Sequence, residues 1–434
     1  MVHTNIIAAT KSDPGRLLIQ GGVNLSGHLP VSGAKNSALA LMAGTLLACG
    51  PSLIHNVPPL ADITILSKLL QSMGVRVERT GNSLTIDPTY ITTHRAPYEM
   101  VSQLRASFFI LGPLLARLGM ARVPLPGGCA IGARPVDLHV RGLSALGAEV
   151  SIEHGIVEAR ATQLRGTHIY LDYPSVGATE TIMMAATLAE GETILENAAR
   201  EPEVSDLANF CIALGAQIQG AGTPQIVIKG RPHLHAAEYT VIPDRVETVT
   251  LLIAGAITNS TVTIGPVVVE HLSAPLTKLR DIGYRVELVG ADTLQIAPGA
   301  ARIGVDLETL PFPGFPTDMQ ALFTALLAVA EGTSIITERV YENRLGHVAE
   351  LRRMGADIRT HDRIAIVQGV SHLSGAPVQA TDLRAAAALI IAGLAAHGQT
   401  EIRGLHHLDR GYQDLEGKLR AVGARIERVI SPEV

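Results

Sequence analysis

The chain contains no tryptophan, and aromatic residues make up only 3% of its 434 positions. Its cores must therefore be filled by Leu, Ile, Val and Ala rather than by rings. Charged residues are scarce as well, at 17% against roughly 25% in ordinary soluble domains. That deficit implies much buried helix and strand under a thin polar shell. The three cysteines, Cys49, Cys129 and Cys211, are too few and too scattered for a disulfide framework, and they suit a reducing cytoplasm. Cys49 and Cys211 read as core residues on apolar helix faces. No apolar run is long enough to span a bilayer; Ser37–Cys49 and Ala385–Ala396 read as buried helices. Met1–Arg16 lacks the basic-then-apolar pattern of a secretory signal. A net charge of −5 without a basic, aromatic-interleaved stripe argues against a general nucleic-acid binder. No strand-linked Gly-x-Gly-x-x-Gly or phosphate-loop Gly-Lys-Ser/Thr pattern occurs, so no nucleotide cofactor is expected. His233/His235 and His406/His407 have no Cys or carboxylate partner at metal-ligand spacing, so no metal is expected either. The length suggests two domains.

What the chain does have is a repeat. Six times an amphipathic segment ends in an apolar residue, then glycine, then a short strand-like run: at Gly74, Gly147, Gly215, Gly283, Gly355 and Gly423. The spacing is roughly 70 residues throughout, which marks an array of one structural unit. Each glycine stands where a helix needs a left-handed cap. Each unit also holds a second helix, apolar on nearly all faces, starting near Lys35, Arg105, Thr179, Asp244, Thr317 and Thr381. Such helices belong inside a domain, with the amphipathic set outside. Thr317–Gln320 and Asp244–Glu247 fit the capping-box spacing. Gln225–Ile228 and Arg363–Val367 read as strands.

Two features point to chemistry. Lys35, Arg105, Arg245 and Arg384 sit at or near helix starts, where the helix dipole makes a cation unfavourable by roughly 0.3–1 kcal/mol. Any one of them could bend into water. Four in corresponding positions of a repeat predict a strongly anionic ligand in a cleft between two groups of three units. The other feature is Gly127–His139, which places Cys129 among glycines, five residues before Arg134 and Pro135. Nearby positive charge lowers a thiol's pKa and makes it a candidate acid or nucleophile; the alternative is a small apolar filler.

Seven segments carry a resemblance, in order along the chain. They are Ser32–Asn36, Leu104–Ser107, Pro126–His139, Ser175–Thr179, Phe315–Gln320, Glu342–Arg344 and Asp409–Tyr412. From about Leu18 to Val429 the sequence resembles the enolpyruvyl transferases, and within them the branch whose acceptor is UDP-N-acetylglucosamine. The resemblance implies an α/β fold, a two-domain inside-out α/β barrel. Each domain would hold three βαβαββ repeats with buried helices whose N-termini face the interdomain cleft. One domain would be discontinuous, 1–34 with 243–434, and the other inserted, 35–242, carrying the Cys129 loop. The chain would cross near Gly33–Lys35 and Ile242–Asp244.

The implied reaction moves the enolpyruvyl group of phosphoenolpyruvate to the 3′-hydroxyl of UDP-N-acetylglucosamine and releases phosphate, the first committed step toward peptidoglycan. By the same resemblance Cys129 gives the proton to the methylene carbon, can form a covalent phosphoenolpyruvate adduct, and is the group that fosfomycin would alkylate. Asp318 would be the base. Lys35, Asn36, Arg134, Arg344, Arg384 and Arg410 would hold phosphoenolpyruvate. Asn36, Arg105, Arg134, Pro135, Val136, Asp137, Leu138, Ser175, Val176, Gly177, Asp318 and Val340 would line the UDP-sugar site. Phe108-Phe109, Ala61 and Glu180 depart from the commoner pattern and leave the fine shape of the pocket open. The alternatives are a transferase acting on shikimate 3-phosphate and a non-catalytic UDP-sugar-binding relative.

Overall fold

The computed structural model describes residues 15–126, 131–132 and 135–430. It is built from six units of one design. In each, a four-stranded pattern joins a parallel pair to two further antiparallel strands. His168–Tyr170 runs parallel to Glu192–Glu196, which pairs antiparallel with Gln225–Lys229, itself antiparallel to Gln217–Gln219. The same order recurs in four other sheets. In the sixth, Met120–Pro124, Ile156–Arg160 and Glu149–Glu153 make three strands and a parallel bridge from Arg95 to Arg122 stands for the fourth.

Six helices are buried on almost every side: Lys35–Gly44, Leu111–Leu118, Val176–Ala186, Arg245–Ile257, Thr317–Leu327 and Leu383–Ala395. In Arg245–Ile257 every residue from Val246 onward is buried. The 3-10 turn Arg105–Ile110 leads into the second of them. Their partners are Ala61–Ser72, Asp137–Ala145, Pro202–Ala213, Ser273–Ile282, His347–Arg353 and Leu415–Ala421, each with an exposed side. All six repeat glycines that follow these outer helices have positive φ, from 90° at Gly74 and Gly355 to 116° at Gly283.

That shared conformation separates two costs. An added Cβ at Gly355 meets nothing within 4 Å, whereas at Gly283 it falls 2.0 Å from the Ala301 carbonyl oxygen. Gly355→Ala should therefore cost only the left-handed backbone, about 1–2 kcal/mol, and Gly283→Ala distinctly more. Thermal unfolding of the two variants checks this; equal losses would show that the close approach at Gly283 is easily relieved.

The buried apolar residues form two clusters. One runs from Ala34 to Val241, and the other joins Leu17–Val31 to Val246–Ile426. The N-terminal strand Arg16–Gln20 lies between Gln399–Arg403 and Arg425–Val429, so the start of the described chain completes its last sheet. The two passages between the clusters run side by side. Ala34 N–H donates to the Ile242 carbonyl at 2.8 Å, and Asp244 N–H donates to the Ser32 carbonyl at 2.9 Å. Gly33 is needed there, since a Cβ would lie 1.8 Å from the Asn56 carbonyl oxygen.

Three local expectations need correction. The helix at Thr317 begins after Pro316 with no side-chain cap; the Thr317 hydroxyl donates to Glu338 instead. Asp244 does cap, accepting from Val246 N–H and Glu247 N–H. Glu247 does not close the box, because its buried carboxylate is taken by Ser32 N–H and the Lys418 ammonium, both at 2.6 Å. Cys49 is exposed, on the short strand Ala48–Cys49 where the apolar helical run has already ended. Cys211 is fully buried, and desolvation pushes its thiol up to about 12.

Candidate active site

The cationic helix starts meet carboxylates. Lys35, first residue of its helix, places Nζ 3.1 Å from Asp62 Oδ2, and Arg410 places Nε 2.8 Å from the other oxygen. The Asp62 side chain is 2% exposed. Lys35 and Asp62 belong to the segment whose apolar residues form the Ala34–Val241 cluster, and Arg410 to the segment of the other cluster, so this triad spans the gap between the two. Arg428 grips the neighbouring Asp409 with both of its terminal nitrogens, at 2.8 and 3.0 Å, which fixes the turn that carries Arg410.

A second triad surrounds Asp318, second residue of the Thr317 helix. Arg344 lies 2.5 Å from Oδ1 and Arg384 lies 2.7 Å from Oδ2. Arg384 enters from the start of the Leu383 helix, whose first turn is capped by Asp382. Burial disfavours its charge, but Asp318 and Tyr412 outweigh that and hold the guanidinium above its ordinary value. The Arg344 and Arg384 guanidiniums also stand over the rings of Tyr341 and Tyr412, at 5.6 and 6.0 Å. Another arginine at a helix start, Arg245, makes a two-pronged pair with Glu203 at 2.9 and 3.2 Å. Glu201 and Glu180 stand close by. Burial, then Glu203 and Glu201, drives the Glu180 carboxyl well above its usual range.

A third group gathers three separated segments. Ser175 caps the Val176 helix, its hydroxyl accepting from Ala178 N–H at 3.3 Å. Gly177 sits so close to His139 that a Cβ would be 2.9 Å from Nε2. His139 rises from the helix that Asp137 and Leu138 begin, just after exposed Pro135 and buried Val136. Its ring meets Phe108 edge-on at 5.3 Å. Burial, and secondarily Arg105, lower the His139 pKa to about 4, so the imidazole is neutral at physiological pH. Asn36, second residue of the Lys35 helix, is exposed. Val340 lies in the loop after Thr333–Thr337, its N–H bonded to Glu338 Oε1 at 2.8 Å.

Cys129 and Arg134 lie outside the described residues. Two residues between them are described. Ile131 accepts a hydrogen bond from Asn343 N–H at 2.9 Å, and Gly132 packs against Glu342. Both contacts fall beside Arg344, on the opposite cluster's side.

Sequence reading missed the anions: Asp62, Glu203, Glu201 and Glu338. A single acidic residue in the first turn of a helix, such as Asp62, is too common to signal a site. Chemically, the paired clusters can exchange an internal carboxylate for a substrate's phosphate or carboxylate at the same cations. They also hold one carboxylate, Asp318, close to both guanidiniums. Among the described residues no three His, Cys, Asp or Glu side chains converge as metal ligands, and no helix is long and apolar enough to cross a membrane.

Comparison with known proteins is consistent with this arrangement. The family profile described as EPSP synthase (3-phosphoshikimate 1-carboxyvinyltransferase) matches residues 19–419. A UDP-N-acetylglucosamine 1-carboxyvinyltransferase of Gloeobacter violaceus is 68% identical, over 97% of this chain and 92% of that one. Another, of a Synechocystis species, is 58% identical over 100% and 99%. Among solved structures, the enolpyruvyl transferase NikO of Streptomyces tendae superposes with a TM-score of 0.87 at 31% identity, covering 96% of this chain and all of that one. An EPSP synthase of Acinetobacter baumannii, 19% identical with a TM-score of 0.72 over 95% and 99% of the two chains, shares the fold. With α/β units of the expected design and a full-length match in sequence, the chain belongs to the EPSP synthase family of enolpyruvyl transferases.

Proposed function

We propose that the chain transfers the enolpyruvyl group of phosphoenolpyruvate to the 3′-hydroxyl of UDP-N-acetylglucosamine with release of phosphate, supplying cell-wall synthesis in the cytoplasm. The observation that carries this is the 68% identity, over nearly the whole length, to a relative named for that activity. The two units are read as 1–34 with 243–434 and 35–242, with the cleft between them.

The chemistry is addition followed by elimination. The acceptor oxygen bonds to C2 of phosphoenolpyruvate, its proton passes to Asp318, and C3 gains a proton from Cys129. The tetrahedral adduct then returns a proton from C3 to the Cys129 thiolate as the bond from C2 to the phosphate oxygen breaks and phosphate leaves, and the proton held by Asp318 passes to the departing phosphate or to water. Lys35, Arg134 and Arg410 hold the donor, with Arg344, Arg384 and Asn36 beside them. Fixed cations aimed at the departing phosphate stabilise charge as it develops, and a closed cleft strengthens each contact. Arg105, Pro135–Leu138, Ser175–Gly177 and Val340 line the acceptor site.

Phosphate release from both substrates together tests the reading; none from folded enzyme refutes it, and release with shikimate 3-phosphate instead would favour the other branch. Cys129→Ser should lower turnover by about 100-fold or more, within the range of general acid catalysis, and fosfomycin should inactivate the native enzyme but not that variant. Full turnover by Cys129→Ser, or a fosfomycin-resistant native enzyme, would remove Cys129 from its role.

A further inference from the structure

Glu338 is a buried carboxylate, 1% exposed, and no lysine or arginine pairs with it among the described residues. It is held by neutral donors. The Thr309 hydroxyl, Val340 N–H and Tyr341 N–H donate to Oε1 at 2.7, 2.8 and 3.1 Å, and the Thr317 hydroxyl donates to Oε2 at 2.9 Å. Thr309 Oγ1 in turn accepts from Arg339 N–H at 2.9 Å. An unpaired carboxylate in such a place is costly unless every lone pair is used. A turn of this kind could be closed by an amide or a water at lower cost, so folding alone does not explain it.

Three of the four donors share a destination. Thr317 precedes Asp318 on the first turn of its helix. Val340 belongs to the acceptor-lining set, and Tyr341 supports Arg344, which reaches back to Asp318. We infer that Glu338 is a positioning residue for the acceptor: its carboxylate ties the turn from Val340 to Arg344 onto the first turn of the Asp318 helix, and so fixes the acceptor's wall relative to the base. The inference rests on the proposed function.

Two substitutions cut the tie from opposite sides. Glu338→Gln keeps an oxygen for Val340 and Tyr341 but turns an amide N–H₂ toward Thr317. Thr317→Val removes the hydroxyl and leaves Oε1 untouched. In steady-state phosphate-release assays, Glu338→Gln should raise KM for UDP-N-acetylglucosamine by about tenfold and leave KM for phosphoenolpyruvate within about twofold, the signature of lost acceptor binding. Thr317→Val should shift the same constant in the same direction. The double variant should be no worse than Glu338→Gln alone, because both act on one link. An acceptor KM within about twofold of wild type, equal rises in both KM values, or multiplicative effects would each overturn the inference. Should Glu338→Gln not fold, Thr317→Val decides alone. Wild-type enzyme inactive on this substrate pair would instead refute the proposed function.

Discussion

Replacing Asp318 with asparagine is expected to lower kcat by about 100- to 1,000-fold, within the usual contribution of a positioned general base. The amide has nearly the same shape as the carboxylate, so the Thr317 helix and its packing should persist. It cannot take the acceptor's proton. It also leaves Arg344 and Arg384, whose side chains are only 5% and 8% exposed, facing a neutral group instead of a shared anion. Those cations would then be free to hold phosphoenolpyruvate, so donor KM should fall or stay level while turnover collapses. Steady-state kinetics with both substrates, alongside circular dichroism to confirm the fold, separates these effects. A variant retaining kcat within tenfold of wild type would show that Asp318 is a counterion to two arginines and not the base. Asp318→Glu keeps the charge but moves the oxygens by one methylene; it should recover donor binding more than turnover.

Much of this architecture was legible in the sequence, because it is written in backbone and burial. The six glycines announce themselves by following apolar residues at a constant period, and every one adopts the left-handed conformation. The six inner helices declare themselves by lacking a polar face. The cationic helix starts could be read too, since Lys35, Arg105, Arg245 and Arg384 occupy like places in a repeat. What answers those cations could not. Arg410 finds its carboxylate 348 positions away at Asp62, and Arg384 reaches 66 positions back to Asp318. Only the folded chain brings such pairs together. Glu338 was hidden for the same reason, and Cys49 was misassigned because an apolar run gave no sign of where helix gave way to strand. Glycines and a nearby arginine mark the segment around Cys129 in the sequence. The described residues beside it, Ile131 and Gly132, meet Asn343 and Glu342, in the segment that builds the other apolar cluster.

Arg245→Met should destabilise the protein by about 3–5 kcal/mol, the usual loss when one partner of a buried ion pair is removed. Methionine fills a similar volume, so the loss would come from charge and not from a cavity. Arg245 is the cation for a crowded set of acids: Glu203 is bonded to it directly, and Glu201 also acts on it. Without it, Glu201 and Glu203 would be buried anions beside Glu180. The pH dependence follows. Burial already raises the carboxyls of Glu180 and Glu201 above their ordinary range. Losing the cation raises the folded-state pKa of Glu201 further, while its unfolded value stays near 4.3. A group raised in this way binds more protons folded than unfolded, so stability is lost as pH rises through that interval. The deficit of Arg245→Met should therefore be largest near pH 8 and shrink toward pH 5. Calorimetric midpoints measured across that range, for wild type and variant together, should show a gap of roughly 3–5 °C at the alkaline end. A gap independent of pH would mean that the guanidinium is held for its stacking on Phe312, 5.7 Å away, rather than for the acids it faces. Because Glu203 and Arg245 lie in segments that build different apolar clusters, the same substitution should also loosen the seam between them and raise KM for both substrates.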